Sequence, residues 1–240
     1  MTKRKRFKKQ EFLPLPVFEQ WLNGEADERD WFDSDQWLSL QNPVYSTTMV
    51  HTSIDRHTMS TRAEAGKGQL FSTESLHVLG GGPNTSHTSA GLYILCEGDV
   101  DLVMSALRLL SHTGMGADAS VGNGRFDAEL QHTELELRYP GEPTHFVTLS
   151  LYAPAEKELL AYKANPDSCW YDIERRQGRL GPGHSTTQWL KQAVIMFKEG
   201  SVFPWLGISS YGRVDVVARS ATHAVRHSGL AFALPAIFRS

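Results

Sequence analysis

The stretch Gly114-Met115-Gly116-Ala117-Asp118-Ala119-Ser120-Val121-Gly122-Asn123-Gly124-Arg125-Phe126 sets four glycines between a helix-period run and an alternating one. Each glycine can take a positive φ and lets another backbone come close. Successive N–H groups in such a loop line a concavity that holds an anion. Taken alone, the loop reads either as a phosphate cradle or as a long connection without a ligand, because glycine spacing is a weak signal. A Walker loop needs Gly-Lys followed by Ser or Thr, whereas Ala117-Asp118 follows Gly116. A dinucleotide fingerprint follows a strand and opens a helix, the reverse of the order here. A kinase glycine loop needs a lysine and a catalytic loop downstream, and neither is found. Phosphates of a polymer are then the better ligand for a cradle.

Upstream, the spacing predicts a helix over 99–112, with Asp99 as N-cap and Val100, Val103, Ala106, Leu107 and Leu110 on one face. Gly114 sits where such a helix stops. Before it, Leu92-Tyr93-Ile94-Leu95-Cys96 predicts a buried strand within 89–97, and a further strand fits 68–79, with a Gly80–Asn84 loop between them. After the loop, Phe126, Ala128 and Leu130 alternate, and the apolar phase shifts near His132, which predicts a bulge or turn. Further strands fit 145–152, 168–176, 191–198, 212–218 and 229–237, with a short helix whose first position is Pro154. Residues 11–41 read as one or two short helices carrying a Val17, Trp21, Leu22 stripe. The polar segment Gln41–Lys67 is long for a connection and reads as a functional loop or a projecting hairpin.

Strand, strand, helix, glycine loop, strand is the second half of a βαββαβ ferredoxin-like unit. The fold class expected is therefore α+β, ferredoxin-like, with antiparallel sheets. Residues 1–140 make a partial first domain with a projecting loop over 42–68 and the glycine-rich loop over 114–124, and residues 141–240 make a second domain. The first strand and helix of the first unit have no evident counterpart in the sequence, so that unit reads as incomplete.

At 240 residues, 40% hydrophobic and 21% charged, the chain is long enough to bury a core and is too apolar for a disordered protein. No apolar run approaches a membrane span, and the basic N-terminus lacks the apolar core of a signal peptide, so a cytoplasmic protein is expected. Cys96 and Cys169 lie in apolar contexts without a CxxC or Cys/His cluster and read as reduced core thiols. No cofactor and no metal spacing is read. Net charge is −3, yet Lys3, Arg4, Lys5, Arg6, Lys8 and Lys9 hold six of the 24 basic residues, leaving 18 against 27 acidic ones. Any nucleic-acid contact by the body is then a local groove. The basic cluster itself reads as a solvated tail, an RNA-contacting arm or a strand edge.

The run ending Gly122-Asn123-Gly124-Arg125-Phe126 resembles the glycine-rich loop of the RAMP proteins of CRISPR systems. A second match narrows this: His51-Thr52-Ser53-Ile54-Asp55-Arg56-His57-Thr58, followed by Leu70-Phe71, resembles a signature of the RAMP subunit that holds the 5′ handle of the crRNA in type III-A (Csm) effectors. Leu149-Ser150-Leu151-Tyr152, Phe197-Lys198-Glu199-Gly200-Ser201 and Gly229-Leu230-Ala231-Phe232 follow in the order that family has them. Three departures stand out. Ala119 and Asn123 replace a basic and an aromatic residue common in the family loop, which leaves Arg125 as the loop's arginine. Met59 stands after Thr58, where the family often has glycine. The family's opening strand and helix have no match.

The resemblance implies an RNA-binding, non-catalytic subunit of an antiviral ribonucleoprotein, partnered by the crRNA 5′ handle, the large Palm-domain subunit and a RAMP backbone subunit, and by target RNA indirectly, with no membrane role. In the loop, Gly116, Ala117, Gly122 and Gly124 are assigned backbone N–H contacts to phosphate, Ser120 a hydroxyl contact and Arg125 a charge-assisted one; Gly114 and Asn123 complete the cradle. The alternative for Arg125 is a pair with Asp127. In the second motif His51, Ile54, Asp55, Arg56 and Thr58 form an extended loop or thumb: Arg56 binds phosphate, Asp55 orients it, and Ile54 wedges against a base. The alternative is an Asp–Arg pair that staples the loop. Lys67 is a further candidate for RNA contact. A metal-independent ribonuclease would use His51 as general acid or base beside Arg56; this remains the alternative function.

Overall fold

The computed structural model describes residues 5, 13–25, 29, 32, 44–55, 57–61, 63–64, 67–68, 70–78, 92–116, 119, 122–130, 142–180, 190–219 and 223–238. The chain divides into two compact units, one of residues 41–135 and one joining residues 1–40 to 136–240. Helix α1 (Leu15–Leu22) belongs to the second of these, where a single 1–140 domain would have grouped it with the first. The architecture is mixed α and β with small sheets, and every described strand pair is antiparallel. The basic N-terminal cluster, apart from Lys5, lies outside the described residues, as do the Gly80–Asn84 loop and the phase shift near His132.

In the unit of residues 41–135, the polar segment is a projecting ribbon. Strand β1 (Val44–Thr52) pairs along its whole length with β6 (Leu70–Val78). Between them run two short hairpins, β2 (Ile54–Asp55) with β3 (Ser60–Thr61) and β4 (Ala63–Glu64) with β5 (Lys67–Gly68). Helix α2 (Val100–Thr113) starts as expected: Asp99 Oδ1 accepts from the Leu102 N–H at 3.0 Å. Three expectations fail here. The preceding strand, 70–78, pairs with 44–52, and among the described residues none pairs with the run 92–97, in which Tyr93 is 80% exposed. Its apolar side chains suit a strand, but a strand exists only where a neighbour supplies its hydrogen bonds. Cys96 is accordingly exposed and not a core thiol. Residues 125–130 likewise run without a ladder.

The other unit holds the core. It follows the order β7 (His145–Thr148), α3 (Glu156–Ala164), a 3-10 turn (Pro166–Ser168), β8 (Ile173–Arg176), β9 (Val194–Phe197), β10 (Val202–Pro204), β11 (Val214–Arg219), β12 (Ala224–Ser228) and β13 (Ala233–Ala236). The sheet order is β10-β7-β13, with β8-β9 and β11-β12 as hairpins. Period-2 alternation sends Val147, Val202 and Leu234 to one face, where Leu22 of α1 meets them. Phe146 and Phe203 point to the other, against Tyr152, Tyr162 and Tyr211. A third cluster of Ala153, Val194, Met196 and Val217 joins the two hairpins. The strands β10 and β12 were not expected: one is three residues ending in proline, the other is mostly polar. Pro154 precedes α3 instead of opening it, because Ala155 takes the N-cap position.

The resemblance motifs of this half meet around β7. Ser150 Oγ donates to Leu230 O at 3.0 Å and accepts from Phe232 N at 2.8 Å. Tyr152 and Phe197 exchange backbone hydrogen bonds at 3.0 and 2.7 Å, and Gly200 N donates to Thr148 O at 2.7 Å. A Cβ at Gly229 would overlap that of Ala153, so only glycine lets these two segments cross.

Beneath them lies one buried carboxylate. Glu158 accepts from Tyr152 OH at 2.9 Å, Ala155 N at 2.5 Å and Gly212 N at 2.9 Å, and Tyr162 OH lies 2.7 Å from Tyr152 OH. Burial, then the Tyr162 contact and the Glu158 charge, raise the Tyr152 phenol far above its ordinary range, so it stays a donor. Glu158→Ala leaves these donors without their acceptor. Urea unfolding should register a loss of roughly 3–5 kcal/mol, the scale for removing one partner of a buried charge network, whereas Tyr162→Phe should cost about 1 kcal/mol.

His145 packs on Trp170 and Phe238 at 5.6 and 5.3 Å, its Nδ1 lies 2.9 Å from Thr144 Oγ1, and burial lowers its pKa from 6.5. Below about pH 6.5 the unfolded chain takes up this proton first, so stability should fall as pH drops from there through the folded value and stay level above it. His145→Phe should flatten that acid limb in thermal melts recorded from pH 7.5 to 5.

Candidate functional site

Helix α2 ends on Gly114, whose N–H bonds Leu110 O at 2.7 Å while its φ of 86° turns the chain away. The loop then closes on itself. Met115 N donates to Gly124 O at 2.9 Å, and a Cβ at Gly114 or Gly124 would strike the backbone of Asn123 or Met115. These two glycines form a neck, where only hydrogen fits between the crossing strands of the loop. Gly116 and Gly122, with φ of 108° and 93°, face open space. They form a rim that another molecule can approach at backbone distance. The N–H of Gly122 is engaged by Ala119 O at 3.0 Å, which corrects its assignment as a phosphate donor; its contribution is close approach. No acceptor holds the N–H of Gly116 or Gly124 among the described residues. Arg125 is exposed, and no carboxylate, Asp127 included, pairs with it among the described residues. Ala117 and Ser120 lie outside the described residues.

The second motif occupies β1 and the tip hairpin. On one face of the ribbon Tyr45, Thr47, Met49 and His51 stand opposite His77, Ser75, Thr73 and Phe71. His51 stacks on Phe71 at 5.4 Å and its Nε2 lies 2.9 Å from Thr73 Oγ1; His77 stacks on Tyr45 at 5.1 Å and its Nε2 lies 2.8 Å from Thr47 Oγ1. The two clamps bracket the ladder and hold its register. At the tip, Asp55 Oδ1 accepts from His57 N at 2.8 Å, and Thr58 Oγ1 lies 2.9 Å from Ser60 Oγ. Asp55 thus staples the turn. Arg56 lies outside the described residues, as does the side chain of Lys67. Ile54 is 60% exposed, in keeping with a residue that meets a partner.

Met59 is the residue that motif reading passed over. It has φ of 51°, the one positive value among described non-glycine residues, and its side chain is 80% exposed. The conformation explains why glycine suits the position after Thr58. Keeping methionine there costs about 1–2 kcal/mol and sets a second apolar side chain near Ile54 on the tip. The signal in the sequence was the departure itself.

The loop and the ribbon are each built from local turns, caps and cross-strand pairs. The loop exposes Gly116, Gly122 and Arg125, and the ribbon tip exposes Ile54 and Met59. Among the described residues no group of three or more His, Cys, Asp or Glu is placed to hold a metal ion, and no helix is long and apolar enough to cross a membrane.

Comparison with curated proteins finds no match. Residues 142–236 match the family model of the CRISPR Csm4 C-terminal domain. That span opens just before β7 and closes with β13, and it holds Ser150, Phe197 and Gly229, the motif residues joined around β7. This match supports the reading of the chain as a Csm4-type RAMP subunit of the type III-A CRISPR Csm complex, the family that its glycine loop and ribbon motifs resemble.

Proposed function

We propose that this subunit binds RNA without cutting it, capping the 5′ handle of the crRNA and bridging the large Palm-domain subunit to the RAMP backbone subunit. The observation that carries the reading is the closed glycine loop. Its neck fixes the backbone so that Gly116, Gly122 and the Arg125 guanidinium stand open to a phosphodiester chain. The ribbon tip, with Ile54 and Met59 exposed, acts as an apolar wedge against a base. His51, held by Thr73 and Phe71, serves as a positioning group in this scheme and not as a proton shuttle.

The ferredoxin-like fold belongs to the same proposal. The run β13-β7-β10, extended by the Trp170 bridge to Val202, supports it: this is the antiparallel order of a βαββαβ unit whose first strand is β7 and first helix α3. The β11-β12 hairpin then stands where the second helix would run.

The test uses the assembled complex and a labelled RNA with or without the handle sequence. Gly122→Val should weaken handle binding while straining the loop only locally, at its φ of 93°, whereas Gly124→Val should also drive a side chain into the Met115 backbone and disrupt the neck. Arg125→Ala should cost roughly 1–3 kcal/mol, the range for a charge-assisted hydrogen bond. Wild-type affinity in both Gly122→Val and Arg125→Ala would remove the loop from the RNA interface. Precursor RNA should stay intact with wild type and with His51→Ala. Metal-free cleavage by wild type, lost in His51→Ala by about 10²–10⁴-fold, would instead make the protein a nuclease.

A further inference from the structure

The β11-β12 ladder slips register between Val216 and Ala218, leaving Val217 out of the pairing. That bulge frees the Val217 carbonyl, which accepts from Gln192 N at 2.6 Å and so ties the second hairpin to the first. Away from this link the hairpins part around an open groove of about 820 Å³, with Gln177, Lys191, Gln192, Val216, Ala218 and Arg219 on its walls.

The groove is cationic in a chain whose net charge is −3. None of its lining residues among those described is acidic. Lys191 runs across Gly178, with Cδ and Nζ 3.8 and 3.9 Å from where a Cβ would stand, so the missing side chain makes its path. Gln177 Nε2 donates to Lys191 O at 3.1 Å, and Arg175 Nη2 donates to Gln177 Oε1 at 2.6 Å. Arg179 stands across from Leu190 and Arg226 across from Val216. The neighbouring acids are occupied: Glu174 pairs with Arg176 and Asp215 with Arg213, each at 2.9 Å. No carboxylate pairs with Arg175, Arg179, Lys191, Arg219 or Arg226 among the described residues.

We propose that this groove is a second RNA site, one that holds the backbone of a single strand through charge and not through sequence. The inference rests on the reading of the chain as an RNA-binding subunit. The cations suit backbone phosphates, the Gln192 amide suits a ribose hydroxyl or base edge, and the Val216-Ala218 side suits sugar or base faces. An acidic peptide would use the cations alone and leave the amide and apolar lining without a role.

The experiment is salt-dependent binding of a labelled single-stranded RNA to the assembled complex, with inorganic phosphate and poly-glutamate as competitors. Lys191→Glu with Arg219→Glu should lower affinity about tenfold or more at low salt. It should also reduce the slope of log K against log salt by about 1.4, two contacts at about 0.7 each for single strands. Lys191→Arg with Arg219→Lys should bind like wild type, and the neutral Lys191→Gln, Arg219→Gln pair serves if the charge reversal does not fold. Wild-type affinity and slope in the neutral pair, while Gly122→Val loses the handle, would overturn the groove and leave the proposed function standing. Unchanged binding in both would overturn both. Tighter binding of poly-glutamate than of the RNA at matched charge and salt, lost in the neutral pair, would make the groove a protein site, and displacement of the RNA by inorganic phosphate as effectively as by unlabelled RNA at the same phosphate concentration would reduce it to a free-anion site; either overturns the proposal.

Discussion

A carboxylate buried to 4% exposure has to be surrounded by donors or it cannot stay in the core. Glu158 meets that demand with Tyr152 and Ala155, from the link between β7 and α3, and with Gly212, from the approach to β11. The first turn of α3, the chain leaving β7 and the approach to β11 are thereby held at one point. The backbone repeats the theme one layer away. Ala153 N bonds Gly229 O, Gly229 N bonds Arg213 O, and Arg213 N bonds Ala153 O, each at 2.9 Å. The aromatic packing of Phe146, Tyr162, Phe203 and Tyr211 fills the space that these polar ties define.

What the sequence discloses divides along the same line. Helix α2, with its Asp99 cap and Gly114 stop, was legible because both signals are local. So was the glycine loop, although only the crossing of Gly114 and Gly124 separates neck from rim. The C-terminal motifs were legible as resemblance, and their physical content is packing: Ser150, Phe197 and Gly229 tie one another together. Residues 92–97 were misread because their side chains describe what a strand would bury, whereas the ladder depends on which segment arrives beside them. The groove at Lys191 and Arg219 had no linear signature at all, since a bulge and a glycine on different hairpins create it.

The two units solve the problem of rigidity differently. The unit around β7 uses a core, while helix α2 has no buried residue and the ribbon relies on stacked histidine pairs and turns. Elements held by local bonds keep their shape while leaving most of their surface to a ligand, which is what recognition of an extended polymer requires. Met59 fits the proposed wedge: its positive φ sets an exposed apolar side chain at the tip.

Helix α1 has a consequence for how the protein is made. Leu22 seals the face of a sheet whose last strand is Ala233–Ala236, and Leu22 O receives the Ile237 N–H at 2.8 Å. On the ribosome α1 emerges well before β13, the strand that completes its docking surface. Until β13 arrives, Phe18, Trp21 and Leu22 wait without their binding face, and closing so long a loop is slow. Docking of α1 is therefore a late step, and until then the newborn chain is a natural client for chaperones that shield apolar helices.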